Sequence, residues 1–275
     1  MAETDLAAEY DTRAMVPEHP EILAGWARDA EAYRAEMGAR AELGLVYGAS
    51  PRQIVEIFSP TGEGPLVVFI HGGWWRAFDP SWFSHMARGL NARGITVALA
   101  GYDLCPQVSI ATIVGQMRKA CLFLRQRTGR QMLVFGHSAG GHLAAAMVAT
   151  DWKARGAPAD LVPAGYAISG LFDLTRLLGV PVNADLGLDA ASAQALSPLH
   201  WPPPSGAIFD AVVGALESNE FKRQSRTFAQ AWNERGAVTR YEELPGNHFT
   251  VIAPLADPES AMVQRLTELA MRTWA

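Results

Sequence analysis

The stretch that most restricts the fold is QMLVFGHSAGGHLAAAMVA, residues 131–149. Its first part, 131–136, is an apolar run of strand type, and from Ala139 onward small and aliphatic helix formers take over. Residues 136–140 must therefore turn the chain within a few positions. Glycine at 136 and 140 removes the β carbons that would collide in so tight a turn. Such a turn lifts the Ser138 hydroxyl above the carboxyl end of a sheet, with the following N–H groups aimed at the same place. The alternative reading is a helix start rich in small residues, with Ser138 as an ordinary cap.

The rest of the chain supplies the surroundings that the turn needs. From about Arg52 onward, apolar β-branched runs alternate with helical periodicity. Strands are expected at 52–59, 65–70, 95–102, 131–136, 164–169, 207–214 and 238–244. Helices are expected near 81–93, at 109–128, from Ala139, at 219–235 and near 258–273. Nearly all-apolar strands alternating with helices imply an α/β fold, its mostly parallel central sheet covered by helices on both faces. SPLHWPPPSG, 197–206, must be irregular, because proline fixes φ and has no N–H to give. The first ~45 residues are acidic and helical in pattern, and are expected as helices laid over the core of one domain spanning 1–275.

Composition narrows the partners. With 49% hydrophobic and 19% charged residues the chain has ample material for a core. A net charge of -5 argues against nucleic acid, which calls for a basic face. The opening MAETDLAAEYD has neither a basic nor an apolar signal-peptide region, and no run approaches the ~20 apolar residues of a bilayer span. Cys105 and Cys121 fit neither a disulfide framework nor a zinc site. The expectation is a cytoplasmic protein that takes a small-molecule substrate and needs neither metal nor cofactor.

A serine hydroxyl is a poor nucleophile until a base takes its proton and donors hold the developing oxyanion. VVFIHGGWW, 67–75, is a strand ending in two glycines, where missing side chains let backbone N–H groups approach a ligand. Gly72 and Gly73, with the N–H of Ala139, are the expected oxyanion donors. The alternative is a plain strand-ending turn. Of seven histidines (His19, His71, His85, His137, His142, His200 and His248), the base should be the one after the last strand. His248 follows 238–244 with Gly246 and Asn247 to form its turn. His137 is expected to pack beside the serine, His71 to be structural, and His142 to face the sheet. The acid should close the preceding strand, and Glu217 follows Gly214 there. Asp173 competes, Asp210 lies within a strand, and Glu220 reads as helix N-terminal decoration.

Together, HGGWW, GHSAGGHLAA, ESNEFKRQS and GNHFTVI resemble the serine-hydrolase kynurenine formamidases of the α/β-hydrolase superfamily, over about residues 65 to 253. In that family an acid precedes Ser-Pro-Glu-Phe and Arg-Gln-Ser, which places the acid at Glu217. Aspartate is commoner there than Glu217, and proline commoner than Asn219. The Asp-Pro-Leu acid motif of hormone-sensitive-lipase-like esterases and the His-x-Gly-Thr-His-x-Asp motif of metal-dependent formamidases are both missing from this sequence. The resemblance implies hydrolysis of N-formyl arylamides or aryl esters, foremost N-formylkynurenine to kynurenine and formate in tryptophan breakdown. A general small-acyl carboxylesterase and a non-catalytic binding homologue are the alternatives. Trp74, Trp75, Phe78, Trp82 and Phe83 cluster after the oxyanion loop, with Trp201 and Phe249 near other loops. They suggest a flat aryl pocket, with Trp75 beside the acyl site, although Trp82 and Phe83 suit the core as well.

Overall fold

The computed structural model describes residues 5–274. Its eight strands are β1 (Ala41–Val46), β2 (Ile54–Phe58), β3 (Leu66–Ile70), β4 (Thr96–Ala100), β5 (Met132–His137), β6 (Ala164–Ile168), β7 (Ile208–Gly214) and β8 (Val238–Leu244). They form one sheet in the order β1-β2-β4-β3-β5-β6-β7-β8. The β1–β2 and β2–β4 pairs are antiparallel, and the pairs from β4 to β8 are parallel.

Helices cover both faces, and the two-residue period of the strands sorts the core between them. Leu66, Val68 and Ile70 pack with helices α5 (Ile110–Thr128), α6 (Ala139–Val148) and α9 (Asn219–Glu234). Val67 and Phe69 point the other way, to α3 (His19–Met37), α4 (Arg88–Ala92) and α10 (Ala261–Arg272). The helix α3 buries Trp26, Ala30, Tyr33 and Met37, a stripe at helical spacing, and ends at Gly38 with φ +51°. Short helices α1 (Leu6–Tyr10) and α2 (Thr12–Met15) precede it, each capped by an aspartate, Asp5 and Asp11. Two more, α7 (Asn183–Leu186) and α8 (Ala190–Ala195), lie between β6 and β7. Among the described residues no helix is long and apolar enough to cross a membrane.

Two expectations are corrected. The first ~45 residues are not wholly helical, because 41–46 form the antiparallel edge strand β1. Its AELGLV has a glycine at φ +66° and little burial, so neither periodicity nor β propensity marks it; pairing with β2 makes it a strand. The helix expected near 81–93 is broken into two 3-10 turns, Pro80–Trp82 and Ser84–Ala87, before the five residues of α4. Phe83, at φ -123°, interrupts it and drives its ring into the core.

Candidate active site

The turn between β5 and α6 holds Ser138 at φ 56°, ψ -119°, outside the relaxed range of a residue with a side chain. The Ser138 N–H donates to Ile168 O at 2.8 Å, which fixes the tip against β6. A β carbon on Gly140 would lie 1.9 Å from Ile70 O, and one on Gly136 would lie 2.3 Å from Gly140 O. Both positions therefore need glycine. The side chain of Ser138 makes no cap bond to α6, so the simple capping alternative fails.

Its Oγ lies 3.1 Å from Nε2 of His248. Nδ1 of the same ring lies 2.6 Å from Glu217 Oε2. With Nδ1–H donating to the carboxylate, Nε2 keeps a lone pair for the serine proton. His248 is held by its own turn: Gly246 adopts φ +120°, and Asn247 Oδ1 accepts from the N–H groups of Phe249 and Thr250, each at 3.0 Å. His137 Nε2–H donates to His248 O at 2.9 Å. Burial, and then the neighbouring His248, hold His137 well below the ordinary histidine range, so no second cation stands beside the relay.

Glu217 follows the end of β7 and is buried. Its Oε1 accepts from Gly214 N–H at 2.8 Å and from the Ser169 hydroxyl, leaving Oε2 to His248. Ser169 is absent from the sequence reading. It stands just past β6 at φ 55°, a strained position whose signal is only a small polar residue closing an apolar strand. Asp173 does not compete: it pairs with Arg223 at 3.2 Å and accepts from Thr175. Asp210 is buried in β7 against Arg265, 2.7 Å away. Glu220 is more than helix decoration. It is buried, and accepts from Tyr10 Oη at 2.9 Å, Arg223 Nη2 at 2.7 Å and Arg176 Nε at 3.3 Å. Burial alone would raise its carboxyl, but the bonds and charges of Arg223, Tyr10 and Arg176 outweigh that and hold it below the usual range.

The loop after β3 meets the serine from the other side. A β carbon on Gly72 would lie 2.8 Å from His137 O and 3.0 Å from Ser138 Cβ, so only glycine lets the two loops touch. The Tyr102 hydroxyl donates to His71 O at 2.9 Å and so fixes the backbone at the start of the loop. Among the described residues, the N–H groups of Gly72, Gly73 and Ala139 find no acceptor in the chain. His71 is stacked on Tyr102 with ring centres 4.3 Å apart, and burial pushes it down to about 4. His142 turns from the sheet instead of facing it: its Nε2 donates to Leu196 O at 2.8 Å and its ring meets Trp75 edge-on.

Ser138, His137, His248, Gly72 and Gly73 line a cavity of about 230 Å³. Its aromatic walls are Tyr10, Trp26, Trp74, Phe78, Phe83 and Phe249. The expected place of Trp75 beside the acyl site is corrected. Trp74 at φ 56° and Trp75 at φ 54° send their indoles to different sides. Trp74 lines the cavity against Tyr10, whereas Trp75 is fully buried in the core against His142. Phe83 serves both, as core and as wall, while Trp82 and Trp201 stay outside the cavity lining. Seven wall residues, Ala7 to Arg13 without Ala8 and Glu9, then Leu23 and Trp26, come from the N-terminal helices.

The alpha/beta hydrolase fold family matches residues 67–178. Kynurenine formamidase from Drosophila melanogaster is 30% identical over 233 residues, 78% of this chain and 77% of the fly protein. The chain belongs to the kynurenine formamidase family. The Salmo salar kynurenine formamidase is 29% identical over 248 residues, covering 86% of this chain and 84% of the fish protein. A Silicibacter crystal structure, provisionally described as a thioesterase, superposes with TM-score 0.85 at 35% identity over 95% of this chain and 98% of that one. An esterase of the bacterial hormone-sensitive lipase family shares the fold at 19% identity and TM-score 0.68 over the whole of both chains. As a member of this family the chain is a hydrolase.

Proposed function

We propose that the chain hydrolyses N-formyl arylamides, N-formylkynurenine foremost, through Ser138, His248 and Glu217. The observation that carries this reading is the Ser138–His248–Glu217 hydrogen-bond relay opening onto an aromatic-walled cavity. Ser138 Oγ attacks the formyl carbon while its proton passes to His248 Nε2, and Glu217 holds the imidazolium that forms. The N–H groups of Gly72, Gly73 and Ala139 hold the oxyanion. His248 returns the proton to the leaving aryl nitrogen, breaking the C–N bond and leaving a formyl ester on Ser138. Water, activated by His248, then releases formate and restores the serine. Kynurenine formamidases among the relatives support the formyl acyl group and the aryl leaving group.

A second reading is a small-acyl ester or thioester hydrolase, favoured by the provisional description of the Silicibacter structure. One panel separates them: kcat/KM for N-formylkynurenine, phenyl acetate, phenyl butyrate and the thiophenyl ester of acetate. The formamidase reading expects N-formylkynurenine to lead. A lead by the thioester or the butyrate overturns it.

A further inference from the structure

The relay and the aromatic walls account for the inner part of the cavity, but they leave its charged rim without a role. Asp11, Arg13 and Arg76 all border the same space as Ser138 and His248. Arg76 is already engaged by Asp185. Arg13 is exposed and, among the described residues, forms no ion pair and donates no hydrogen bond from its side chain. Asp11 uses Oδ1 to cap α2, accepting from Ala14 N–H at 3.0 Å, and its Oδ2 has no partner among the described residues. Two opposite charges two residues apart thus share one rim without pairing with each other.

Their backbone is anchored. Tyr10, next to Asp11, donates to Glu220 at 2.9 Å and accepts from Gln224 Nε2 at 2.7 Å, while Glu9 Oε2 accepts the Glu220 N–H at 2.9 Å. The α1–α2 corner is therefore tied to the helix that follows Glu217, and so holds its rim at a set position relative to the relay. A guanidinium presents a planar fork of donors that suits a carboxylate, and a carboxylate suits an ammonium group.

We propose that Arg13 and Asp11 form a recognition site for the zwitterionic end of an aromatic amino acid: Arg13 takes the α-carboxylate and Asp11 the α-ammonium, while the acyl carbon on the aryl end lies at Ser138. This rests on the formamidase reading, since it names the kind of aryl formamide the cavity selects. Specificity then comes from two ends, an acyl group at the relay and paired charges at the mouth. Rim charges of this kind stay in contact with water, so their contribution is modest and screened by salt.

The test compares two aryl formamides that differ only in the charged end: N-formylkynurenine and 2-formamidoacetophenone. The readout is the ratio of their kcat/KM values. In Arg13→Gln that ratio should fall about tenfold, mostly through KM for N-formylkynurenine, and Arg13→Lys should recover part of it. Asp11→Asn keeps a side chain able to cap α2 and should lower the ratio about threefold. Raising salt should erode the wild-type ratio and leave the Arg13→Gln ratio nearly flat. Equal losses on both formamides, or an unmoved ratio in both variants, would overturn the proposal. A wild type that turns over neither formamide but cleaves esters would sink the formamidase reading instead. The rim is then read from O-acetyltyrosine against 4-methylphenyl acetate, where an Arg13→Gln ratio equal to wild type refutes it.

Discussion

The Tyr10 hydroxyl donates to Glu220 Oε1 at 2.9 Å across a separation of 210 residues, tying the N-terminal helices to the helix that follows Glu217. The phenol ring also stands edge-on to Trp74, with ring centres 5.8 Å apart. One side chain thus links a cavity wall, the loop after β3 and the helix that follows Glu217. In Tyr10→Phe the ring stays, but the buried Glu220 loses a donor and Gln224 loses an acceptor. The cost should be about 1–3 kcal/mol of stability. Thermal melting should show it, and KM should rise several-fold with kcat less affected, because the wall moves while the relay does not. A KM equal to wild type would mean that the N-terminal helices do not shape the bound state.

Ser138→Ala should abolish nearly all turnover, about 10⁴–10⁶ in kcat, at an almost unchanged melting temperature. The hydroxyl faces the cavity and His248, so its removal opens no hole in the core. An aryl phosphonate should add covalently to the wild type at Ser138, and intact-mass spectrometry reads the adduct. Active enzyme without an adduct would remove Ser138 from the nucleophile's role.

The acid can be tested with its neighbours as controls. Glu217→Gln keeps the shape but replaces the acceptor of His248 Nδ1–H, and kcat should fall far more than KM changes. Ser169→Ala leaves Oε1 with only the Gly214 N–H and should cost about tenfold in kcat, since the carboxylate is then held by one bond fewer. Asp173→Asn touches the Arg223 pair instead, and should change kcat little. A larger loss in Asp173→Asn than in Glu217→Gln would reverse the assignment.

The relay was legible in the sequence because its parts lie where strands end: Ser138 after β5, Glu217 after β7, His248 after β8. Ser138 and Glu217 each follow a largely apolar strand with a glycine at or beside its end, while His248 follows the mixed strand VTRYEEL and is marked by the Gly246-Asn247 turn after it. The walls were less legible. Two adjacent tryptophans of nearly equal φ cannot be told apart by composition or local pattern, and only the packing around each ring shows that Trp74 faces the cavity and Trp75 the core. Tyr10 and Ser169 act through partners far away in the chain, and Glu220 joins its near neighbour Arg223 to the distant Tyr10, so a short window shows at most a helix-start acid there.

That difference between the tryptophans is measurable. Trp75→Ala removes a fully buried indole and should destabilise by about 3–5 kcal/mol, as truncations of large core side chains do. Trp74→Ala opens the cavity instead, and should broaden acyl or aryl selectivity with a smaller loss in melting temperature. Chemical denaturation and the ester panel separate the two. Equal stability losses would mean that both rings pack as core.

Several buried histidines set the acid limit of the fold. Burial holds His71, His85 and His142 down to about 4, against about 6.5 in an unfolded chain. In His142 the Nε2–H is spent on Leu196 O, and Nδ1 has no partner among the described residues, so a proton there would charge an apolar site. Because the folded value lies below the unfolded one, the unfolded chain binds more protons between about 4 and 6.5, and stability must rise with pH through that window. It is fully present above 6.5. Each such histidine removes up to about 1.4 kcal/mol per pH unit as the pH falls towards 4. Glu220, held low by Arg223, adds its own loss only on further acidification, as its carboxyl protonates. Urea midpoints measured from pH 7.5 down to 4.5 should be level at first and then drop steeply below about 6.5. His142→Gln, which can still donate to Leu196 O, should make that drop shallower by one proton. A wild-type midpoint that stays level to pH 5 would show that these histidines are protonated in the folded protein.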